Sequence, residues 1–368
     1  MKSKKSLFLI GVLIFTLVLV ACGDKKDIAE KPETEKLSDT HIVVDMNGRE
    51  VELKKDIETI AVTPIPWASL VYAIDGNANR LVAMNPSAMK SYEISFLEKL
   101  SPEFAKADTE IISRDFKINM EEMANLDPDV VIVWDYQTEE IEQLGKLGIP
   151  AVAIKYGSLE SLQEGMTLLG SVLNKEEKAK ELVSYHQDTA SYFEEKLKET
   201  NETVNPEVVY LRDKDLTIFG KKSVNQIFFD LTGGKNLAEE VEDKTSVNME
   251  QIIDWDPEMI YLSNFDDFLP ENLYNNSFDG QDWSNVKAVK NKKVYKTPIG
   301  IYRWDAPCAE SPLMMMWMAK VQQPEIFKDL NLEKEIKDFY KKFYDFELSQ
   351  TDLNKILNTE VNEGLEIQ

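Results

Sequence analysis

The chain reads as an α/β protein of two similar lobes in tandem, joined by a long helix, with a ligand cleft between the lobes. Three observations predict this. The phrase NMEEMANLDPDVVIV, Asn119 to Val133, returns as NMEQIIDWDPEMIYL, Asn248 to Leu262. In each copy an Asn followed three residues later by Glu122 or Gln251 has the pattern of a capping box opening a short helix. An Asp-Pro turn at Pro128 or Pro257 then delivers an apolar strand. The copies start 129 residues apart, far beyond a solenoid period and about right for two lobes. Secondly, strands alternate with helices on both sides of a helical stretch, the order of a parallel sheet. Thirdly, 368 residues with 43% hydrophobic content can fill two cores.

The elements follow in order. A hairpin is expected at IVVDMNGREVEL, from Ile42, because Asn47-Gly48 suits a tight turn. Next come a strand at Ile57 to Thr63, a helix at Ala68 to Ile74 and a strand at Leu81 to Met84. The first repeat ends in a strand at Val130 to Trp134, followed by a helix near Glu139 to Leu147 and a strand at Ala151 to Ile154. Apolar residues at helical spacing fill Ser158 to about Thr200, and the later part is long enough to bridge two lobes. The second half repeats the order. A strand at Glu207 to Leu211 leads to a helix near Val224 to Leu231 and the second repeat. A strand at Lys293 to Tyr295 and a helix from Glu310 to Val321 follow, and helices at Glu325 to Tyr344 and Thr351 to Asn358 close the chain. Each lobe is thus a Rossmann-like α/β unit. The divisions are 1–21 leader, 22–40 tether, 41–157 N-terminal lobe, 158–203 helical region with the spacer helix, and 204–368 C-terminal lobe.

The leader is read from Lys2, Lys4 and Lys5 ahead of an apolar run from Leu7 to Ala21. A spanning helix needs about 20 apolar residues, so this shorter run suits a signal peptide. It ends in Leu19-Val20-Ala21-Cys22-Gly23, the pattern of a lipoprotein cleavage box in which Cys22 becomes the lipidated first residue. The charged stretch behind it lacks hydrophobic periodicity, as a tether would. These features place the working end outside the cytoplasm, anchored to the membrane by lipid.

Charge and cysteine content narrow the classes further. The formal net charge is -24, and loss of the three leader lysines from the 42 basic residues takes it to -27. Such a surface repels nucleic acid and anionic lipid. With Cys22 lipidated, Cys308 is the remaining thiol, which excludes an intramolecular disulfide and a zinc site of several cysteines. Its role is open. The two histidines, His41 and His186, suit solvated or packing roles. The Met314-Met315-Met316 run suits the buried face of a helix.

Ligands of open α/β sheets sit outside the carboxyl ends of the strands, so the loops there are the place to look. Four carry unusual residues: Thr63 to Trp67, Trp134-Asp135-Tyr136, Arg212-Asp213-Lys214, and Pro298 to Pro307. Arginines beside aromatic faces suit a bulky anionic or metal-chelating ligand, the guanidinium bonding as a fork and the rings giving apolar contact. The candidate contacts are Trp67, Tyr136, Arg212, Tyr302, Arg303 and Trp304. The alternative for each is an Arg paired with a nearby Asp, or a ring filling core.

The lipobox, the repeated phrase, LTGGKNLAEE at Leu231 to Glu240, the spacer helix and GIYRWDAPCAESPLMMMWMAK at Gly300 to Lys320 together resemble a known family. It is that of the substrate-binding lipoproteins of ABC importers for iron-siderophore, haem and cobalamin, the periplasmic binding proteins of class III. The resemblance runs from about Ile42 to the C-terminal helices. It implies a clamshell that hinges little on its long helix, a metal complex in the cleft, a permease and a cytoplasmic ATPase as partners, and no catalysis. It also implies that Glu121 and Glu250, one in each repeat, dock on the permease. A carboxylate in a first helical turn is favoured by the helix dipole by about 0.3–1 kcal/mol without any partner.

The ligand expected is a ferric siderophore, with no resident cofactor or metal, because no cluster of His, Cys and carboxylates marks a bare-ion site. Siderophore oxygens would pair with Arg212 and Arg303. Haem, cobalamin, an oxyanion or another metal complex are alternatives on the same fold. A lipid-anchored hydrolase is remote, since the chain carries no G-x-S-x-G, H-E-x-x-H or P-loop. An adhesin leaves the Arg-aromatic loop unexplained. A monomer is expected.

Overall fold

The computed structural model describes residues 39–200, 205–242, 244–362 and 365. The leader, Cys22 and nearly all of the tether lie outside the described residues. The hairpin forms where Asn47-Gly48 places it. Strands β1 (Thr40–Val44) and β2 (Glu50–Lys54) pair antiparallel, and Gly48 takes the left-handed conformation at φ 76°. The Asp45 carboxylate organises the turn by accepting the amide N–H groups of Asn47 and Arg49, and it also accepts the Ala153 N–H at 3.1 Å. One buried carboxylate therefore shapes the hairpin and fixes it to the sheet behind.

That sheet comprises β3 (Ile60–Val62), β4 (Leu81–Met84), β5 (Val130–Trp134) and β6 (Ala151–Ile154) in the order β4-β3-β5-β6, all parallel. Every residue of β5 and β6 is buried, as expected when helices cover both faces of a parallel sheet. Strand β3 is shorter than expected because the Asp129 carboxylate takes the N–H groups of Glu58 and Thr59, removing them from the ladder.

The second sheet contains β7 (Glu207–Leu211), β8 (Thr217–Phe219), β9 (Lys235–Asn236), β10 (Lys244–Ser246), β11 (Met259–Leu262) and β12 (Val294–Lys296). The order is β10-β8-β7-β11-β12, with β9 also on β7. Strands β7, β9, β11 and β12 run parallel, and β8 and β10 add antiparallel edges that the sequence pattern did not signal. Other differences are local. A helix at Pro86–Glu93 was not expected, and the helix expected from Glu325 begins at Leu332, where Asn331 caps it by accepting the Lys334 N–H at 2.9 Å.

The two repeat units share their backbone. The Asn119 side chain accepts the Glu122 N–H at 3.3 Å, and Asn248 accepts that of Gln251 at 2.8 Å. The helices Met120–Leu126 and Met249–Trp255 end at Asp127 and Asp256, both left-handed, before β5 and β11. In both copies only this Asn half of the expected capping box forms, and in the first the Asn119 N–H donates instead to the Ile111 carbonyl at 2.9 Å.

Helices Leu159–Leu173 and Glu176–Glu199 connect the sheets. The second has 24 residues, about 36 Å at 1.5 Å per residue. His186 on it is buried and bonds the Ala309 carbonyl through Nε2 at 2.9 Å. Burial pushes its pKa down to about 4, so it packs as a neutral ring. Helix Ser311–Gln322 is buried on all sides, Met314 to Met316 included, the environment of a helix that is apolar all round.

Candidate functional site

In the C-terminal lobe, the loops leaving β7, β11 and β12 at their carboxyl ends converge on one aromatic ring. Strand β11 delivers Ser263, Asn264 and Phe265. The Arg303 guanidinium carbon lies 3.7 Å from the Phe265 ring centre and that of Arg212 lies 4.8 Å from it. Two cations on one ring repel each other in water, and each is worth about 0.5–2 kcal/mol to the ring. Bringing both here makes a site that an anion would relieve.

The arginines differ in their freedom. Arg212 is partly exposed and pairs with Asp213 at 3.0 Å. Arg303 is 8% exposed, donates from Nη2 to the Tyr302 hydroxyl at 2.9 Å, and its Nε is buried without a partner. Burial works against its charge, but Tyr302 and Asp305 beside it offset this and raise its pKa, so it stays protonated. An unpaired N–H on a buried cation is costly unless a ligand takes it up.

Three buried ionisable groups hold these loops. Lys296 donates to the carbonyls of Ser263 (2.7 Å), Asp266 (2.8 Å) and Phe268 (3.0 Å) and so fixes the Phe265 loop. Burial pushes its pKa down to about 8. Asp305 ties that loop to the Arg303 loop by accepting from the Ser263 hydroxyl and from the Asn264 N–H at 2.9 Å. Glu310 accepts the Ile301 N–H at 2.8 Å and the Trp304 indole N–H at 3.0 Å.

The N-terminal lobe supplies aromatic rings. Tyr136, exposed at 62%, stacks on Trp134 with centroids 6.2 Å apart, and Phe116 and Tyr156 pack on the same indole. Gln137 sets this wall by accepting from the Thr63 hydroxyl and the Trp134 N–H while donating to the Phe116 carbonyl. Tyr156 belongs to this lobe, yet it lies close enough to feel Tyr302 and Arg303 of the other. Burial, then Tyr302, pushes its hydroxyl well up, keeping it neutral.

Two expected contacts are corrected. Trp67 is fully buried, and its ring fills the space left by Gly165, where a Cβ would approach it to 2.0 Å. Trp304 is also fully buried and spends its indole N–H on Glu310. Both are core. Tyr302 is buried, with its hydroxyl accepting from Arg303. Arg212 and Arg303 share the Phe265 ring, and Tyr136 stands on Trp134 in the other lobe. Phe265 was missed, although the repeat register pointed to it: counting from Asn119 and Asn248, it occupies the position of Tyr136. Glu121 and Glu250 are exposed in the first turns of the repeat helices. Cys308 is a buried free thiol.

The family model described as "Periplasmic binding protein" matches residues 100–299, more than half of the chain. The chain belongs to the periplasmic binding protein family. A periplasmic solute-binding protein from Veillonella parvula is 47% identical, with a TM-score of 0.85 over 88% of this chain and 99% of that one. The molybdate-binding protein MolA of Haemophilus influenzae is 28% identical over 251 residues, 62% of this chain and 70% of its own length. Its molybdate-bound structure shares the fold at a TM-score of 0.72, covering 84% of this chain and 99% of that one at 24% identity. The iron(3+)-hydroxamate-binding protein FhuD of Bacillus subtilis is 28% identical over 209 residues, 53% of this chain and 64% of its own length. This periplasmic binding protein is thus an extracytoplasmic solute-binding component of an ABC transporter, a family of binding proteins for transport and not of enzymes.

Proposed function

We propose that the protein captures an anionic metal chelate, a ferric siderophore, in the space between the Arg212–Phe265–Arg303 group and the Trp134–Tyr136–Tyr156 wall, and delivers it to an ABC permease driven by a cytoplasmic ATPase. The observation carrying this reading is the pair of guanidinium groups on Phe265, one with a buried free N–H. Carboxylate, catecholate or hydroxamate oxygens would accept charge-assisted bonds there, and the rings would cover the chelate's apolar parts. Glu121 and Glu250, exposed on matching repeat helices, dock on the permease in this reading. Lipidation of Cys22 tethers the protein, which works as a monomer. The likeness to MolA favours a second reading, an oxyanion such as molybdate held by the same arginines.

The test is native mass spectrometry of the mature domain with ferric hydroxamate, catecholate and citrate complexes, haem, cobalamin and molybdate, with tryptophan fluorescence for affinity. One-to-one retention of a ferric chelate supports the reading. Retention of molybdate alone moves it to the oxyanion, and retention of haem or cobalamin alone overturns both.

A further inference from the structure

The ligand reading leaves unexplained why a carboxylate with no exposed surface stands at the start of helix Ser311–Gln322. Glu310 accepts the Ile301 N–H and the Trp304 indole N–H through Oε2, and the Tyr340 hydroxyl lies near the same carboxylate. The two donors bracket Tyr302 and Arg303. Gly300, just before them, is obliged to be glycine by the same carboxylate, since a Cβ there would come within 2.2 Å of it. The turn closes on itself through the Tyr302 carbonyl and Gly300 N–H at 3.0 Å. Among the described residues no cation bonds this carboxylate; the groups facing it are Tyr72 from helix Ile65–Asp75, Tyr340 and Tyr344 from helix Leu332–Tyr344, and Cys308 of its own turn. Burial pushes each of these up and keeps it neutral.

We propose that Glu310 is a positioning residue of the ligand site: its carboxylate fixes the turn that presents Tyr302 and Arg303, and its ionisation sets affinity without contact to the ligand. The proposal rests on the Arg303 reading of the preceding section. An ionised acceptor holds its donors more tightly than a neutral one. Burial pushes Glu310 up to about 7, so the stronger acceptor appears as pH rises through neutrality, and affinity rises with it.

Glu310→Gln keeps the shape and the acceptor but cannot ionise. In wild type the Trp304 indole N–H resonance should titrate near pH 7, and in Glu310→Gln it should stay flat. Binding of a ferric hydroxamate and of molybdate is then measured for both proteins from pH 5.5 to 8.5, so that titration of the probe or of Lys296 cancels in the ratio. The wild-type advantage should grow by roughly three- to tenfold towards high pH, from the gain in strength of a charged acceptor. A constant ratio, or an indole signal that does not titrate in wild type, overturns the proposal. If neither protein binds either probe, the ligand reading is what fails, and the indole titration alone decides the link from Glu310 to the turn.

Discussion

The two repeat units are the same scaffold with different chemistry at the tip. Each has an Asn cap, a short helix, a left-handed Asp and a buried strand, and each strand hands on to an exposed aromatic, Tyr136 in one lobe and Phe265 in the other. Tyr136 stacks on Trp134, and the further neighbours of that indole are again rings, Phe116 and Tyr156. The neighbours of Phe265 are two guanidinium groups, and Lys296 and Asp305 are buried and hydrogen-bonded into its loop while Glu310 is buried in the Arg303 turn. The scaffold is set by local sequence, while the chemistry is set by what the neighbouring strands bring. The first lobe offers an aromatic wall set by three hydrogen bonds of one neutral side chain, Gln137. The second places charge in a desolvated setting, and such charge is tolerated only with a network of bonds behind it.

The largest effect should come where the copies are alike: reversing the charge of both Glu121 and Glu250 should abolish uptake in cells while leaving the affinity of the isolated protein unchanged. An equal fall in affinity would remove their docking role. Next, Arg303→Ala should weaken binding of a ferric chelate roughly 100-fold by calorimetry, the scale of a buried charge-assisted bond at about 3 kcal/mol. Arg212→Ala, half exposed and already paired, should cost only about three- to fivefold. Equal losses would mean that burial does not rank the two. Gly300→Ala forces a Cβ against the Glu310 carboxylate and should destabilise the fold by about 1–3 kcal/mol in urea unfolding; the same change at exposed Gly145, which meets nothing within 4 Å, is the control.

Glu310 also links stability to pH. Its folded-state pKa lies above that of the unfolded chain, so the stability it contributes is fully present below about pH 4.5 and is lost as pH rises through about 7. Glu310→Gln should therefore melt like wild type near pH 4.5 and exceed it at pH 8, by on the order of 2–3 kcal/mol. The smallest effect is expected at the first lobe's wall, where Tyr136→Ala should lower affinity only a few fold, by the worth of one stacked ring.

Most of the scaffold could be read from the sequence because its signals are local. Asn47-Gly48 makes its hairpin, Asn119 and Asn248 cap their helices, and the apolar run Val130–Trp134 is a strand from end to end. Side-chain direction is different. Trp67 after two prolines and Trp304 beside an arginine look the same in sequence whether they face ligand or core. The partners that bury them are Gly165 and Glu310, and for Trp67 that partner lies far along the chain. Phe265 was within reach, since the repeat register aligns it with Tyr136. The buried roles of Lys296 and Asp305 were not, because their bonds cross between loops more than thirty residues apart, as Lys296 to Ser263 and Asp305 to Asn264 do.

Binding of an anion between Arg303 and the first lobe's rings can be checked by titrating wild type, Arg303→Ala and Phe265→Ala with ferric siderophores and molybdate, following tryptophan fluorescence. One-to-one binding is expected in wild type, its near loss in Arg303→Ala and an intermediate loss in Phe265→Ala, with all three melting cooperatively. Undiminished affinity in Arg303→Ala would place the ligand elsewhere.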